Sequence, residues 1–230
     1  MPKVYFKKLL EVACFSVESC FKAQESGADR IEFCANYSLG GITPNHEEIL
    51  RAKDLLNIPL HIIIRPRGGN FTYTTEEINV MKNDILFCKA NGINGIVFGV
   101  LNSENEIDET ICKELIELSM PMSITFHRAI DECKNIEDAF INLIKIGFTR
   151  VLTSGGRKSA LDGINEIKNC QMKFGDDIII IPGGGIRSSN IECIISETNC
   201  WEYHSAAIAD DTDLVNDFEV KLLKEKIHKC

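Results

Sequence analysis

The sequence predicts a (β/α)8 TIM barrel, an α/β fold built as a single domain over residues 1–230. Three observations carry that expectation. Short apolar runs alternate with amphipathic stretches eight times, the pattern of repeated β-α units around a parallel sheet. The connections are short, and no Pro-rich or low-complexity linker interrupts them. At 230 residues and 44% hydrophobic composition, the chain can bury one substantial core. An open doubly wound sheet is the alternative, although no G-x-G-x-x-G separates the first strand from the first helix.

The elements follow in order. Leu9 to Cys14 forms the first strand, and Ser16 caps a helix over VESCFKAQESG that Gly27 ends by accepting left-handed geometry. Arg30 to Cys34 is the second strand, followed by a helix within Asn45 to Leu56. The third strand, Leu60 to Arg65, carries the β-branched run Ile62, Ile63, Ile64 and is closed by Pro66, Gly68 and Gly69. Thr74 caps TEEINVMKNDILFCKANG, which ends at Gly92. Gly95 to Gly99, a helix in Asp108 to Leu118, and Met122 to His127 come next. Asn135 caps IEDAFINLIKIG, ended by Gly147. Arg150 to Thr153, Ile178 to Gly183 and Trp201 to His204 are the remaining strands, with helices in Ala160 to Phe174, Asn190 to Glu197 and Asp213 to His228.

Composition excludes several classes. A formal charge of -9 with no sustained Lys/Arg block argues against nucleic acid and anionic membrane as partners. No apolar segment reaches the roughly 20 residues that span a bilayer, and Met1 to Lys8 lacks the apolar core of a secretory signal, so a cytoplasmic location is expected. The ten cysteines include no C-x-x-C and fall mostly in periodic elements, which suits a reduced compartment better than a disulfide framework. Zinc-finger and zinc-ribbon spacings are missing, and no two histidines stand close enough to form a local ligand pair.

Side chains alternate along a strand, so His61, Ile63 and Arg65 share one face, with Arg65 at the carboxyl end where α/β barrels keep their ligands. The other strand ends offer Glu11, Glu32, His127 with Arg128, Thr153 with Ser154, Gly183 to Gly185, and His204 with Ser205. Polar groups therefore converge on one mouth. Two readings stand side by side: a Glu/Arg network that satisfies itself and closes the barrel, or a site for a small anionic ligand.

In the second reading Arg65, Arg67 and Arg128 supply charge. The turns TSGG and PGGGI supply Ser154, Gly155, Gly184 and Gly185, and the last strand supplies His204 and Ser205. Arg65 and Arg67 could equally pair with local carboxylates. Glu11, Glu32 and His127 are the candidate proton carriers for an isomerase or lyase step, although an inward His can also serve only as a hydrogen-bonding partner. His46 and His228 fall in helices and His61 deep in a strand, where structural or solvated roles are expected. No Lys stands at a strand end, which disfavours a Schiff-base aldolase.

The segments LLEVACFSVESC, GADRIEFCAN, GGITP, IIIRPRGGNFTY, TFHRAID, RVLTSGG, PGGGI and HSAA, running in order from about Leu9 to Ala207, resemble the CutC family of copper homeostasis proteins. The resemblance implies a cytosolic (β/α)8 barrel and, for some members, Cu(I) held by cysteine thiolates, the soft ligand Cu(I) prefers. The implied Glu-x-Cys pattern is met by Glu32 and Cys34. After Glu11 it is displaced, with Ala13 two residues on and Cys14 three. One residue changes the face of a strand, so Cys14 is expected to point toward the helices unless the strand ends or bulges at Ala13. The connection from Ile208 to Thr212 is shorter than in many members. A homo-oligomer remains open alongside the small anionic ligand.

Overall fold

The computed structural model describes residues 7–208 and 213–229. Eight strands are present: β1 (Leu9–Cys14), β2 (Arg30–Phe33), β3 (Leu60–Ile63), β4 (Gly95–Phe98), β5 (Ser123–Phe126), β6 (Arg150–Thr153), β7 (Ile179–Pro182) and β8 (Glu202–Ser205). Eight helices alternate with them: α1 (Val17–Glu25), α2 (His46–Leu55), α3 (Thr75–Ala90), α4 (Glu109–Ser119), α5 (Ile136–Ile146), α6 (Ile164–Phe174), α7 (Ile191–Thr198) and α8 (Asp217–Lys229). Every ladder is parallel, in the order β7-β6-β5-β4-β3-β2-β1-β8, and β7 lies beside β8, so the sheet curls into a nearly closed barrel.

Helix starts follow local chemistry. Ser16 accepts the Ser19 amide, Asn135 accepts those of Glu137 and Asp138, and Thr74 forms a reciprocal capping box with Glu77. Gly147, at φ 103°, ends α5 in a geometry that a Cβ would disfavour. Two short 3-10 turns, Tyr37–Leu39 after β2 and Arg128–Glu132 after β5, were not anticipated by periodicity.

The strand period of two sorts side chains into two cores. Leu10, Val12, Cys14, Ile31, Phe33, Ile62 and Ile64 face outward into one apolar shell shared with the helices. Each fully buried Ile or Leu there contributes on the order of 2 kcal/mol of transfer free energy. The opposite faces fill the barrel and are polar at its lower end. Arg30, the first residue of β2, donates to Glu11 Oε2 at 2.5 Å and to Glu202 Oε2 at 2.5 Å. Arg150, the first residue of β6, reaches Glu202 at 3.3 Å and Ser123 Oγ at 2.5 Å. His61 fits beside them because β4 has no side chain at Gly95, where a Cβ would lie 2.5 Å from the ring.

None of the nine cysteines among the described residues forms a disulfide. No helix among those residues is long and apolar enough to cross a membrane. Of the connection Ile208 to Thr212 and the segment Met1 to Lys8, residues 209–212 and 1–6 lie outside the described residues.

Candidate active site

Above the ionic floor the barrel opens at the carboxyl ends of its strands into two connected chambers. The inner one, about 120 Å³, is walled by Ala13, Phe15, Glu32, Cys34, Gly40, Ile63, Arg65, Phe71, His127, Arg128, Leu152 and His204. The outer one, about 620 Å³, shares Gly40, Arg65, Phe71 and Arg128 and adds Asp131, Glu132, Gly156, Arg157 and Lys158.

Glu32 and His204 project inward from neighbouring parts of the β2-β1-β8 sheet. His204 Nδ1 lies 2.7 Å from Glu11 Oε1 and 3.5 Å from Glu32 Oε2. The Cys34 thiol donates to Glu32 Oε1 at 3.4 Å, and Glu32 Oε2 is buried without a hydrogen bond. The carboxyls diverge in chemistry. Burial works to raise the Glu11 pKa, but Arg30 and the His204 hydrogen bond outweigh it and hold Glu11 well below the ordinary carboxylate range. Burial raises the Glu32 pKa and the Glu11 charge adds to it, against the pull of His204. His204 is opposed by burial, yet the Glu11 hydrogen bond and the charges of Glu32 and Glu11 carry its pKa upward.

The surroundings of Glu11 favour its ionised form, which suits the candidate proton-carrying role read from the sequence less well than Glu32 does. Glu11 is an ionised strut between Arg30 and His204, and it does not line the chamber.

His127 follows β5 as the cap of the turn Arg128–Glu132, and its Nδ1 accepts the Ala129 amide at 3.2 Å. That bond assigns the remaining proton to Nε2, which is buried without a hydrogen bond on a residue that walls the chamber. Burial and the Arg65 charge push its pKa down to about 3, so the ring is neutral and presents an N–H donor. Gly99 makes this position possible, since a Cβ there would stand 2.7 Å from the ring.

Arg65 is 6% exposed, and this burial decides its role as a fixed charge. Its Nη1 donates to the carbonyls of Leu39, Gly40 and Gly41 and its Nη2 to Gly69, while Nε remains unpartnered and the guanidinium stacks on Phe71 at 4.9 Å. The carbonyls lock the cation into the wall shared by the two chambers.

Several expected anion contacts are engaged elsewhere. Arg67 pairs with Glu77 at 2.6 Å and ties its own loop to α3, as the alternative of local pairing anticipated. The Ser154 and Gly156 amides and the Thr153 and Ser154 hydroxyls all donate to the Asp131 carboxylate. The turn holding Ser154 and Gly155 thus already contains an anion, the protein's own. Gly184 and Gly185 line neither chamber; Gly184 makes room for Arg128, whose Cζ would be 3.2 Å from a Cβ. The Ser205 hydroxyl donates to the Ile186 carbonyl and accepts the Ala207 amide.

The register also separates the cysteines. β1 runs unbroken through Cys14, which is paired with Phe33 and packs in the outer shell, while Ala13 faces the chamber. Cys14 therefore does not join Cys34, because consecutive residues of a strand occupy opposite faces. Among the described residues Cys34 alone contributes sulfur to the chamber wall, and burial together with the Glu32 charge pushes its thiol pKa well up. Glu11, Glu32 and His204 also offer donor atoms within 4.8 Å of one another, a spacing compatible with a cation, although Arg30 on Glu11 opposes a second positive charge.

Asp131, Phe15 and Phe71 were missed by motif reading. Asp131 carried a faint signal, an acidic residue four positions after an inward His, but apart from Arg128 its partners Thr153, Ser154 and Gly156 lie more than 20 residues away in sequence.

The fold and site define an eight-stranded α/β barrel with a buried acid–imidazole chamber at the carboxyl end of its strands. The chain belongs to the CutC family, whose model matches residues 8–209. It is 44% identical over 202 residues to a family protein CutC of Bacteroides thetaiotaomicron, covering 87% of this chain and 81% of that one. It is 42% identical over 199 residues to the human copper homeostasis protein cutC homolog, covering 86% and 73%. The crystal structure of CutC from Streptococcus agalactiae superposes with a TM-score of 0.82 at 29% identity, over 86% of this chain and 98% of that one.

Proposed function

We propose that the inner chamber catalyses proton transfer on a small carbonyl-bearing metabolite, in an isomerase- or lyase-type step. One observation carries the proposal: Glu32 Oε2 and His127 Nε2 are both buried, both without a hydrogen bond, and both belong to groups that wall the same chamber. Unpaired buried polar atoms cost free energy, and a ligand supplying their hydrogen bonds recovers it.

The roles follow from protonation. Glu32, with its pKa raised by burial and by the Glu11 charge, suits the proton-carrying group, a role worth about 10²–10⁴-fold in rate. In its ionised form Glu32 takes a proton from the carbon beside the carbonyl, and the electron pair moves onto the carbonyl oxygen. His127 Nε2–H and the fixed charge of Arg65 stabilise that oxyanion, an effect of about 10²–10³. For an isomerisation Glu32 returns the proton to the former carbonyl carbon while the hydroxyl proton of the adjacent carbon passes to the oxyanion; for a lyase step the oxyanion collapses back to the carbonyl, the bond to the leaving group breaks, and Glu32 protonates that group. Other barrels divide labour in this way between a carboxylate base and a neutral imidazole.

The test is a panel of hydroxycarbonyl compounds, phosphorylated and not, incubated in D2O and followed by proton NMR. Wild type should exchange the α-hydrogen of at least one compound, and Glu32→Gln should lose that exchange by 100-fold or more. No exchange across the panel would count against the proposal.

Cu(I) binding is the second reading, favoured by the relatives named for copper homeostasis and by the Cys34 thiol in the chamber. A two-cysteine site fits poorly, since Cys14 occupies the outer face. Cys34 with an imidazole would have to hold the ion, and Cu(I) would have to displace a firmly held thiol proton. An anaerobic Cu(I) titration against a competing chelator separates the cases. Tight binding lost in Cys34→Ser but kept in Cys14→Ser supports this reading, and binding indifferent to Cys34 removes it.

A further inference from the structure

The outer chamber differs from the protein around it in charge. In a chain of formal charge -9, its wall gathers Arg65, Arg128, Arg157 and Lys158 against two carboxylates, Asp131 and Glu132. The four cations are not equally free. The terminal nitrogens of Arg65 are held by backbone carbonyls, and Arg128 is shared between Asp131 at 2.9 Å and Ser154 at 2.8 Å. Among the described residues, the side chains of Arg157 and Lys158 have neither a hydrogen bond nor an ion pair, and both are exposed. They directly follow Gly156, whose amide holds Asp131 in the adjoining turn.

The turn following β6 therefore has two sides. Its backbone amides and hydroxyls face inward onto Asp131, and its two unpaired cations stand on the outer wall. An external anion finds the amide nest filled but finds the side chains available. Two surplus positive charges on the wall match a dianion better than a single carboxylate.

We propose that Arg157 and Lys158, with Arg128, form a handle site for a dianionic group of the phosphate-monoester type, placing the opposite end of the same molecule in the inner chamber. This rests on the proton-transfer assignment of that chamber and names its substrate class. The inner chamber, at about 120 Å³, admits only a short head, whereas the outer one at about 620 Å³ accommodates a bulkier charged end. Phe71 and Arg65 belong to both walls, so a bound molecule would run past the Phe71 ring from the handle to Glu32.

The experiment is a thermal-shift titration with inorganic phosphate and, separately, glycerol 3-phosphate, against sodium chloride at matched ionic strength. Wild type, Glu32→Gln and the double variant Arg157→Ala/Lys158→Ala are compared. The expected result is saturable stabilisation of wild type and Glu32→Gln alike, with affinity lowered at least 10-fold in the double variant. Both replaced side chains are exposed and unpaired, so that variant should melt at the wild-type temperature without phosphate. Glycerol 3-phosphate should bind more tightly than inorganic phosphate, because its carbon tail can enter the inner chamber. Equal affinities would mean a site for free phosphate and overturn the handle. A shift reproduced by chloride, or unchanged in the double variant, would overturn the site itself. Phosphate binding lost in Glu32→Gln would place the anion in the inner chamber and overturn the assignment to Arg157 and Lys158. Intact phosphate binding with no deuterium exchange would leave the anion site standing and remove the proton-transfer reading.

Discussion

Glu32 Oε2 stands 3.5 Å from His204 Nδ1, while the same imidazole nitrogen lies 2.7 Å from Glu11 Oε1. One imidazole thus joins a carboxylate committed to Arg30 with a carboxyl that faces the chamber. The ionic floor and the chemical chamber are two depths of one network, and Glu11 is the joint between them.

Glu11→Gln removes the charge that Arg30 and His204 both use. Breaking one partner of a buried ion pair typically costs about 3–5 kcal/mol, and a loss of that size is expected in urea denaturation. Replacing Arg30 by Met in the same chain should recover part of it, because the stranded cation is then gone. A Glu11→Gln variant as stable as wild type would show that Glu202 alone suffices for Arg30.

Gly99→Ala tests the placement of His127. The new methyl would stand 2.7 Å from the His127 ring and 3.0 Å from Phe126. Overpacking of this kind costs about 1–3 kcal/mol and should tilt the ring away from the Ala129 amide. Imidazole NMR should then report a changed tautomer balance at His127, whereas an unchanged Nε2–H signal would mean that the wall yields instead.

Acid stability should reveal the neutral histidines. His61 and His127 are held by burial to a pKa of about 3, against 6.5 for the free side chain. Between those values the unfolded chain binds more protons than the folded one, so stability falls as pH falls. Each such ring contributes a slope of about 1.4 kcal/mol per pH unit. His204 acts in the opposite sense, since its raised pKa gives stability that is complete below 6.5 and lost as pH rises through its folded value. His127→Gln should flatten the acid limb of the stability profile by about one histidine's slope, as measured by urea melts. An unaltered acid limb would mean that His127 charges in the folded state.

Asp131→Ala should empty the turn after β6. The donors of Thr153, Ser154 and Gly156 lose their acceptor, at a cost of about 3 kcal/mol in total. Added sulfate should then raise the melting temperature of the variant more than that of wild type, by taking the vacated place. Equal response to sulfate would show that the turn collapses when its carboxylate is removed.

The barrel itself was legible because branched runs and caps are local signals: Ile62 to Ile64, Ser16, Thr74 and Asn135 each announce an element from its own neighbourhood. The separation of Cys14 from Cys34 was legible too, since it needs only the two-residue period of a strand. Anion contacts were harder to assign. Whether an amide nest or an arginine is free depends on what else folds against it, and Asp131 and Glu77 reach Ser154 and Arg67 through turns that periodicity does not show. Protonation lay further still from the sequence, because Glu11 and Glu32 are the same residue type and differ only in which charges surround them.

The most direct test of the account is the protonation state of Glu32, measured by infrared difference spectroscopy between wild type and Glu32→Gln across a pH series. The account predicts a protonated carboxyl band that persists at a pH where an ordinary carboxylic acid has fully ionised, and that is missing in the variant. If the two spectra differ only by an ionised carboxylate throughout that range, Glu32 is not the proton carrier and the chamber does not work as described.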